Sequence, residues 1–379
     1  MVVFQALTWE ARDGEDEHLI SIFGKTEDGK SVCVTTAFTP YFFIKLPSGV
    51  DSQKVQRIYD ILGNQCKDSL VAYSLMKSKD VWGFQNNEEF AYMKISFKDL
   101  QARRLVDSFL RRPLDRSPEL YEIFGVRNVK VYESNLDPVL RLMHRTGIQS
   151  TGWLDSGERC VRSHIANVDI DLFCNDWTTL KPVARDDIAP FVVASVDIEC
   201  NSSTGKFPDA NILGDACFQI AISLCKFGSD EPYDKTCLCY KQTDSNLEGC
   251  DIRSYATEKE MLEAFQKYLH SKDIDIITGW NIFGFDMEYI YKRAQINKCN
   301  YDFYNLGKLK DIDSQLVIKK LSSSALGDNF LKLLPMSGRF IFDLFHEVKK
   351  GYKLDSYKLD SVSKLYLGDQ KIDMAPKEM

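Results

Sequence analysis

Two acidic residues at the end of an apolar segment constrain the fold of this chain more than any other feature. Residues 191–196 read FVVASV, which is typical of a buried β-strand, and Asp197 and Glu199 follow directly. Residues two apart in an extended chain point to the same face, so both carboxylates project together. Two like charges on a buried strand repel each other and lose hydration unless a cation lies between them. The segment therefore predicts a strand that leaves the core at a site for a divalent metal ion.

A second informative segment is the loop at residues 279–286, with the sequence GWNIFGFD. A short strand is predicted before it, at residues 273–278, and a helix directly after it. The loop combines aromatic residues with Asn281, a mixture that suits stacking on a nucleic-acid base while the amide binds a neighbouring group. Asp286 has two open interpretations, as the cap of the helix or as a further acid at the same edge of the sheet.

Together these acids predict a chemistry. Carboxylates on adjacent strand ends can hold a pair of Mg²⁺-like cations, with water and phosphate oxygens completing the coordination. Asp197, Glu199 and Asp286 offer only oxygen atoms, which favours a hard cation. Two metals about 4 Å apart clamp an in-line displacement at phosphorus, so the reaction would be phosphodiester hydrolysis. A simpler alternative stays open, in which Asp197 and Glu199 are solvated acids at the end of a surface strand.

Composition excludes several classes of protein. The eleven cysteines are scattered without a Cys-x-x-Cys pair, which argues against both structural zinc and a disulfide framework. The net charge of −7 argues against a protein that coats nucleic acid through charge alone, so a shaped groove must do most of the binding. No apolar stretch approaches the length of a membrane span, and the N-terminus lacks a secretory pattern. We expect an intracellular protein that is not secreted and does not bind a membrane.

At 379 residues the chain exceeds the usual size of one core, and the predicted elements divide it. Strands are predicted at 2–9, 18–25, 31–37, 41–46 and 89–97, and helices at 52–62, 98–110 and 139–144. After a polar region with one extended stretch at 164–172, the order strand, strand, helix, strand, loop, helix indicates an α/β sheet with the Asp-x-Glu strand near its centre. We expect an α+β domain over 1–150, a connecting segment over 151–190 and an α/β domain over 191–379.

Five motifs, taken in order, carry a resemblance to a known family. They are the Asp-x-Glu strand end, QIA at 219–221, the loop at 280–286, GRFIFDL at 338–344 and YKLDSYKLDSV at 352–362. Earlier segments belong with them: YFFI at 41–44, YESNLDP at 132–138 and GWL at 152–154. This sequence resembles the N-terminal region and 3′–5′ exonuclease domain of family B DNA polymerases, especially delta-type enzymes, including those of large DNA viruses that infect eukaryotes.

The resemblance implies an RNase-H-like proofreading domain that hydrolyses primer 3′ ends with two Mg²⁺ ions, in the N-terminal portion of a DNA-directed DNA polymerase. It implies that Asp197, Glu199 and Asp286 are catalytic residues and metal ligands. Asn281 and Phe285 would contact the single-stranded 3′ end. The implied partners are primer–template DNA, the remaining polymerase chain and a sliding clamp, in the host nucleus or at a cytoplasmic viral replication site.

The sequence departs from the family pattern towards its C-terminal end. The third exonuclease motif, Tyr-x-x-x-Asp, is not found, because Tyr352 and Asp355, like Tyr357 and Asp360, have two intervening residues instead of three. A turn followed by a helix start explains these pairs better. The palm motifs of the polymerase are also absent. We therefore expect an exonuclease domain that is incomplete at its C-terminal end, with little or no activity in the isolated chain.

Two alternatives and one further implication stay open. An independent RNase-H-like exonuclease would need another group at the site, such as Asp343, His346 or Asp360. A non-catalytic DNA-binding or assembly module would carry vestigial acids. The resemblance also places within residues 305–335 the loop or hairpin that separates primer from template in the family.

Overall fold

The computed structural model describes residues 1–67, 69–80, 83–243, 247–323 and 327–369. The N-terminal part contains β1 (Val3–Asp13), β2 (His18–Lys25), β3 (Ser31–Ala37), β4 (Tyr41–Lys45), α1 (Ser52–Gln65), β5 (Leu70–Ser78), β6 (Phe90–Phe97), α2 (Leu100–Leu110), α3 (Pro118–Phe124), β7 (Val131–Tyr132), α4 (Pro138–Thr146), β8 (Trp153–Asp155), β9 (Cys160–Arg162), β10 (Ile170–Cys174) and β11 (Lys181–Val183). The C-terminal part contains β12 (Val192–Cys200), β13 (Cys217–Lys226), β14 (Asp234–Tyr240), β15 (Asp251–Tyr255), α5 (Glu258–Ser271), β16 (Ile276–Thr278), α6 (Asp286–Ile296), β17 (Val317–Ser323), β18 (Gly327–Leu333), β19 (Phe340–Ile341), α7 (Leu344–Gly351) and α8 (Leu359–Leu367).

Two sheets form the N-terminal part. One has seven strands in the order β11-β8-β1-β2-β3-β10-β9, and the other has four in the order β5-β6-β4-β7. Strands β8 to β11 come from the segment 151–190, and they pair with β1, with β3 and with each other. The domain limits at 150 and 190 stay a prediction, but this pairing makes the segment part of the N-terminal sheet. The stretch expected at 164–172 is shifted, since β10 begins only at Ile170.

The predicted N-terminal helices are confirmed. Asp51 caps α1 by accepting the backbone N–H of Lys54, and Val55, Ile58 and Leu62 form its buried stripe. Strand β5 and helix α3 were not predicted. Most residues of β5 are exposed, so it lacks the alternation of buried and exposed positions that identifies a strand from sequence.

The central sheet of the C-terminal part has six strands in the order β15-β14-β13-β12-β16-β19. Strand β12 pairs antiparallel with β13 and parallel with β16, so the predicted α/β fold with a mixed sheet is confirmed, with the Asp-x-Glu strand inside it. Side chains from α5 and α6 pack on one face in a single apolar core. Strands β17 and β18 form a hairpin within the expected region 305–335, although residues 324–326 lie outside the described ranges. In those ranges no helix combines the length and the apolar character needed to cross a membrane.

A buried group of ion pairs joins β2 of the N-terminal sheet to the C-terminal part. The Nζ atom of Lys25 lies 2.6 Å from the Asp275 carboxylate and 3.2 Å from that of Asp273. The Nζ atom of Lys308 lies 2.6 Å from Asp275 and 2.9 Å from Asp273. Burial alone would lower the pKa of Lys25, but the carboxylates of Asp275 and Asp273 raise it above its ordinary value. Lys25 and Lys308 therefore share the carboxylates of buried Asp275 and half-buried Asp273, and the buried guanidinium of Arg339 interacts with the same two acids.

Candidate active site

Asp197 and Glu199 lie on one face of β12, as the two-residue period predicts. Val196 and Ile198 are 2% and 6% exposed in the core, so the two acids face the opposite side of the sheet. Asp197 is exposed and Glu199 is half-buried. The acidic face of β12 can therefore receive a charged ligand from solvent.

Asp286 lies at the same end of the sheet and is buried. It is the first residue of α6, whose N-cap is Phe285 and which has no side-chain capping bond, so the interpretation of Asp286 as the cap is wrong. Its carboxylate instead lies beside β12, where its own backbone N–H and that of Ile198 act to lower its pKa. Burial and then the negative charge of Asp197 raise the pKa of Asp286 to about 7. Within the described part of the chain its Oδ1 atom has no hydrogen-bond partner.

The oxygen atoms of these acids suit a metal ion, but the acids do not form a complete set of ligands. Among the residues that the structure describes, no three side chains of His, Cys, Asp or Glu are grouped closely enough to hold a metal by themselves. However, Asp286 has a buried oxygen with no partner among the described residues, and the negative charge of Asp197 acts on it. A cation stabilises such a group. Water and phosphate oxygens normally complete the coordination of Mg²⁺. The assignment of Asp197, Glu199 and Asp286 as metal ligands stays a prediction.

The loop between β16 and α6 is a tight turn built around Asn281. The φ angle of Asn281 is 61°, in the left-handed region that non-glycine residues rarely adopt. Its carbonyl accepts the N–H groups of Gly284 and Phe285, at 2.9 and 3.2 Å. Its side-chain amide covers Gly284, where an added Cβ would lie 2.4 Å from Oδ1. A side chain at 284 would therefore displace the Asn281 amide, and the turn determines the backbone position of Phe285.

Two of the three loop aromatics pack against α7. Trp280 contacts Phe345 edge-on, with the ring centroids 5.8 Å apart, and Phe283 stacks on His346 at 6.2 Å. Phe345 and His346 belong to the first turn of α7. Trp280 and Phe283 therefore fasten the loop to α7, and base stacking remains as an expectation for Phe285.

Phe207 is an aromatic residue near the site that the sequence interpretation missed. It lies in the loop between β12 and β13, is 78% exposed, and contacts Phe285 edge-on with the ring centroids 5.3 Å apart. Phe285 also packs on Tyr289 of α6, at 4.9 Å. The only sequence signal was the position of Phe207 in the polar loop that follows the Asp-x-Glu strand.

A buried polar network holds that same loop. The guanidinium of Arg293 donates to both carboxylate oxygens of Glu258 and to three backbone carbonyls of the loop. Asp215 accepts the backbone N–H groups of Ser203 and Asp209, which hold the pKa of Asp215 below its ordinary value. The loop beside Glu199 is thus anchored by charged groups as well as by packing.

The extra groups suggested for an independent exonuclease have different surroundings, and that alternative stays a prediction. Asp343 is 2% exposed, and both of its oxygens accept backbone N–H groups. His346 stacks on Phe283, and Asp360 is an exposed residue in the first turn of α8. The prediction of a turn and a helix start at 352–362 is confirmed, since α8 begins at Leu359.

Comparisons with known proteins give the family. Residues 129–362 match the family profile described as DNA polymerase family B, exonuclease domain. The chain is 32% identical to the DNA polymerase of Paramecium bursaria Chlorella virus NY2A, in an alignment that covers 98% of this chain and 40% of that protein. It is 28% identical to the DNA polymerase delta catalytic subunit of Schizosaccharomyces pombe, covering 94% of this chain and 33% of that one.

The fold is shared with a solved polymerase. The family B DNA polymerase from the hyperthermophilic archaeon Pyrobaculum calidifontis matches with a TM-score of 0.63 and 17% identity, over 96% of this chain and 39% of the archaeal one. This chain thus spans 40% or less of the length of these three relatives. The family profile covers well over half of this chain and contains β12, the loop before α6 and α7. The resemblance is confirmed: this chain belongs to family B of the DNA polymerases and contains their exonuclease domain.

Proposed function

We propose that this chain is the N-terminal portion of a viral, delta-like DNA-directed DNA polymerase, and that its exonuclease domain hydrolyses primer 3′ ends when the remainder of the polymerase is present. The observation that carries the proposal is the buried carboxylate of Asp286, with one oxygen lacking a partner among the described residues, beside Asp197. Asp197, Glu199 and Asp286 would hold Mg²⁺, which when bound supplies positive charge and activates water. Polymerisation, a sliding clamp and a replication site in the nucleus or cytoplasm of the host belong to the same proposal.

The aromatic residues next to these acids support a single-stranded substrate. Phe285 directly precedes Asp286, and it contacts the exposed ring of Phe207. Stacking on such rings accepts any base, as a proofreading enzyme requires. Asn281 lies in the same loop and would contact a neighbouring polar group of the strand.

A basic groove on the N-terminal part offers a second contact for DNA. The groove has a volume of about 680 Å³, and its lining includes Tyr41, Arg141 and Arg145. Lys94 and Arg141 lie over the ring of Tyr41, at 4.0 and 3.9 Å from its centroid. Burial and then the charges of Arg145 and Arg141 lower the pKa of Lys94. Arg141 is buried and already pairs with Glu133 of the same lining at 2.9 Å. Lys94 and Arg145 are therefore the cations that a phosphate backbone would contact, despite the negative net charge of the chain.

Metal binding tests the acidic site. We expect isothermal titration calorimetry to show saturable Mn²⁺ binding, and Asp286→Asn and Asp197→Asn each to weaken it by about tenfold or more, since each removes a charged ligand. The control is Asp360→Asn, which changes an exposed aspartate on α8 and should leave the affinity unchanged. Equal Mn²⁺ affinity in all four proteins would refute the assignment of these acids and favour a non-catalytic module.

Base stacking is tested separately. Phe285→Ala should weaken binding of a fluorescent oligothymidylate by about tenfold, because each stacked base contributes about 1–3 kcal/mol. Fluorescence anisotropy measures the affinity. Phe227→Ala is a matched control, since Phe227 is 50% exposed and follows β13 at the end of the sheet where β12 begins. If both variants bind the oligonucleotide as the unaltered chain does, Phe285 does not contact the strand.

A further inference from the structure

Asp343 is a buried acid outside the proposed metal site, and the backbone uses both of its oxygens. Its Oδ1 atom caps α7 by accepting the N–H of Phe345 at 3.0 Å. The same oxygen accepts the N–H of Asn281 at 2.8 Å, and Oδ2 accepts the N–H of Phe283 at 3.0 Å. A helix cap requires only the bond to α7. The other two bonds tie the loop between β16 and α6 to the start of α7.

These two bonds act on the residues that determine the shape of the loop. Asn281 is the left-handed residue whose carbonyl closes the turn to Phe285. Both backbone groups of Phe283 form hydrogen bonds: its N–H donates to Asp343, and its carbonyl accepts the N–H of Lys332 from β18. Removing the Asp343 carboxylate would therefore leave the N–H groups of Asn281 and Phe283 without their acceptor, while the bond between Phe283 and Lys332 of the hairpin stays.

We propose that Asp343 is a positioning residue, which holds Asn281 and Phe285 in the conformation that binds a single-stranded 3′ end. This inference rests on the proposed function, in which those two residues contact the strand. A carboxylate suits the role because hydrogen bonds to a charged acceptor are stronger than neutral ones. Asparagine at this position would direct its own NH₂ donor at one of the backbone N–H groups, and two donors cannot form a hydrogen bond with each other.

The geometry separates this role from two others. An acid that completes a metal site directs its lone pairs to the ion, whereas three backbone N–H groups take three of the about four acceptor positions of Asp343. A residue that only caps α7 has no bond to the loop. The rings of α7 that pack on Trp280 and Phe283 strengthen the same connection between helix and loop.

The substitution Asp343→Ser separates the loop bonds from the helix cap. Serine is a good N-cap, so it preserves the bond to α7, but its side chain is too short to reach the loop as well. Asp137→Ser is the matched control, because Asp137 caps α4 by accepting the N–H groups of Val139 and Leu140, and α4 lies in the N-terminal part. Both variants are made in the full chain of 379 residues.

Three measurements are made on each protein: anisotropy with a fluorescent oligothymidylate, calorimetry with Mn²⁺, and amide hydrogen exchange. We expect Asp343→Ser to raise the Kd for the oligonucleotide by about tenfold and to change Mn²⁺ affinity by clearly less. The two N–H groups left without an acceptor should also lower the midpoint of thermal unfolding relative to Asp137→Ser. Exchange should accelerate at the amides of Asn281 and Phe283. If Asp343→Ser does not fold, Asp343→Asn keeps the size of the side chain and should show the same pattern with a smaller change in Kd.

Two results overturn the inference: oligonucleotide affinity equal to that of the unaltered chain, or a loss of Mn²⁺ affinity as large as the loss of oligonucleotide affinity. The second would show a purely structural role. If the unaltered chain does not bind the oligonucleotide at all, the proposed function fails and the DNA role of Asp343 fails with it. In that case unchanged exchange at Asn281 and Phe283 would also exclude Asp343 as the residue that holds the loop.

Discussion

Replacing Asp286 with asparagine is expected to stabilise the metal-free protein in mildly alkaline solution, although substitutions of buried residues usually destabilise. Burial and the charge of Asp197 raise the pKa of Asp286 from 3.8 to about 7. Between these two pH values the unfolded chain has released a proton that the folded chain still holds. Stability therefore falls as the pH rises from 3.8 towards about 7, and the loss is complete above that range.

Asparagine has nearly the same shape and does not titrate, so the variant escapes this loss. One pKa unit corresponds to about 1.4 kcal/mol, so the free energy of unfolding of the variant, relative to the unaltered chain, should increase by about 4 kcal/mol from about pH 4 to about pH 8. Urea unfolding at the two pH values measures the difference. The control is Asp186→Asn, at an exposed position.

Saturating Mn²⁺ should reverse the order of stability. An ion that binds the folded state stabilises the unaltered chain by mass action, and the variant lacks the charged ligand that would gain from it. If Asp286→Asn is less stable than the unaltered chain at about pH 8 without metal, the pKa of Asp286 is not raised as described above.

The acids on β12 could be predicted because their role depends on local geometry. A two-residue period in an extended chain is enough to place Asp197 and Glu199 on one face, and the apolar run before them identifies the strand. The role of Asp286 could not be decided in the same way. Whether it caps α6 or faces β12 depends on a difference of one residue, between N-cap and first helical position, and helix ends are not predictable to that accuracy.

The remaining residues of the site depend on contacts between distant parts of the chain. Phe207 becomes significant only because it contacts Phe285, and Asp343 only because the start of α7 lies against the loop. The short strands β8 to β11 illustrate the same limit at the level of the fold. Strands β8, β9 and β11 have three residues each, too few to show a period, and only pairing identifies them, whereas the stretch predicted at 164–172 overlaps β10.

The substitution Asp275→Ala is expected to destabilise the protein by about 3–5 kcal/mol, because it leaves buried positive charge without its partner. Lys25 and Lys308 each lie 2.6 Å from this carboxylate, and Lys25 and Asp275 are each 2% exposed. The change also removes the acceptor for the N–H of Val192, at the start of β12. Urea unfolding, followed by tryptophan fluorescence, measures the loss.

Two further variants distinguish buried charge from a general effect of losing an aspartate. Asp251→Ala breaks a surface pair with Arg253, in which the side chains are 54% and 43% exposed, and should cost less than about 1 kcal/mol. The double variant Asp275→Ala with Lys25→Met should be more stable than Asp275→Ala alone, because it removes one of the uncompensated cations. If the two changes instead add as independent losses, the ion pairs between β2 and the C-terminal part do not determine the stability of this interface.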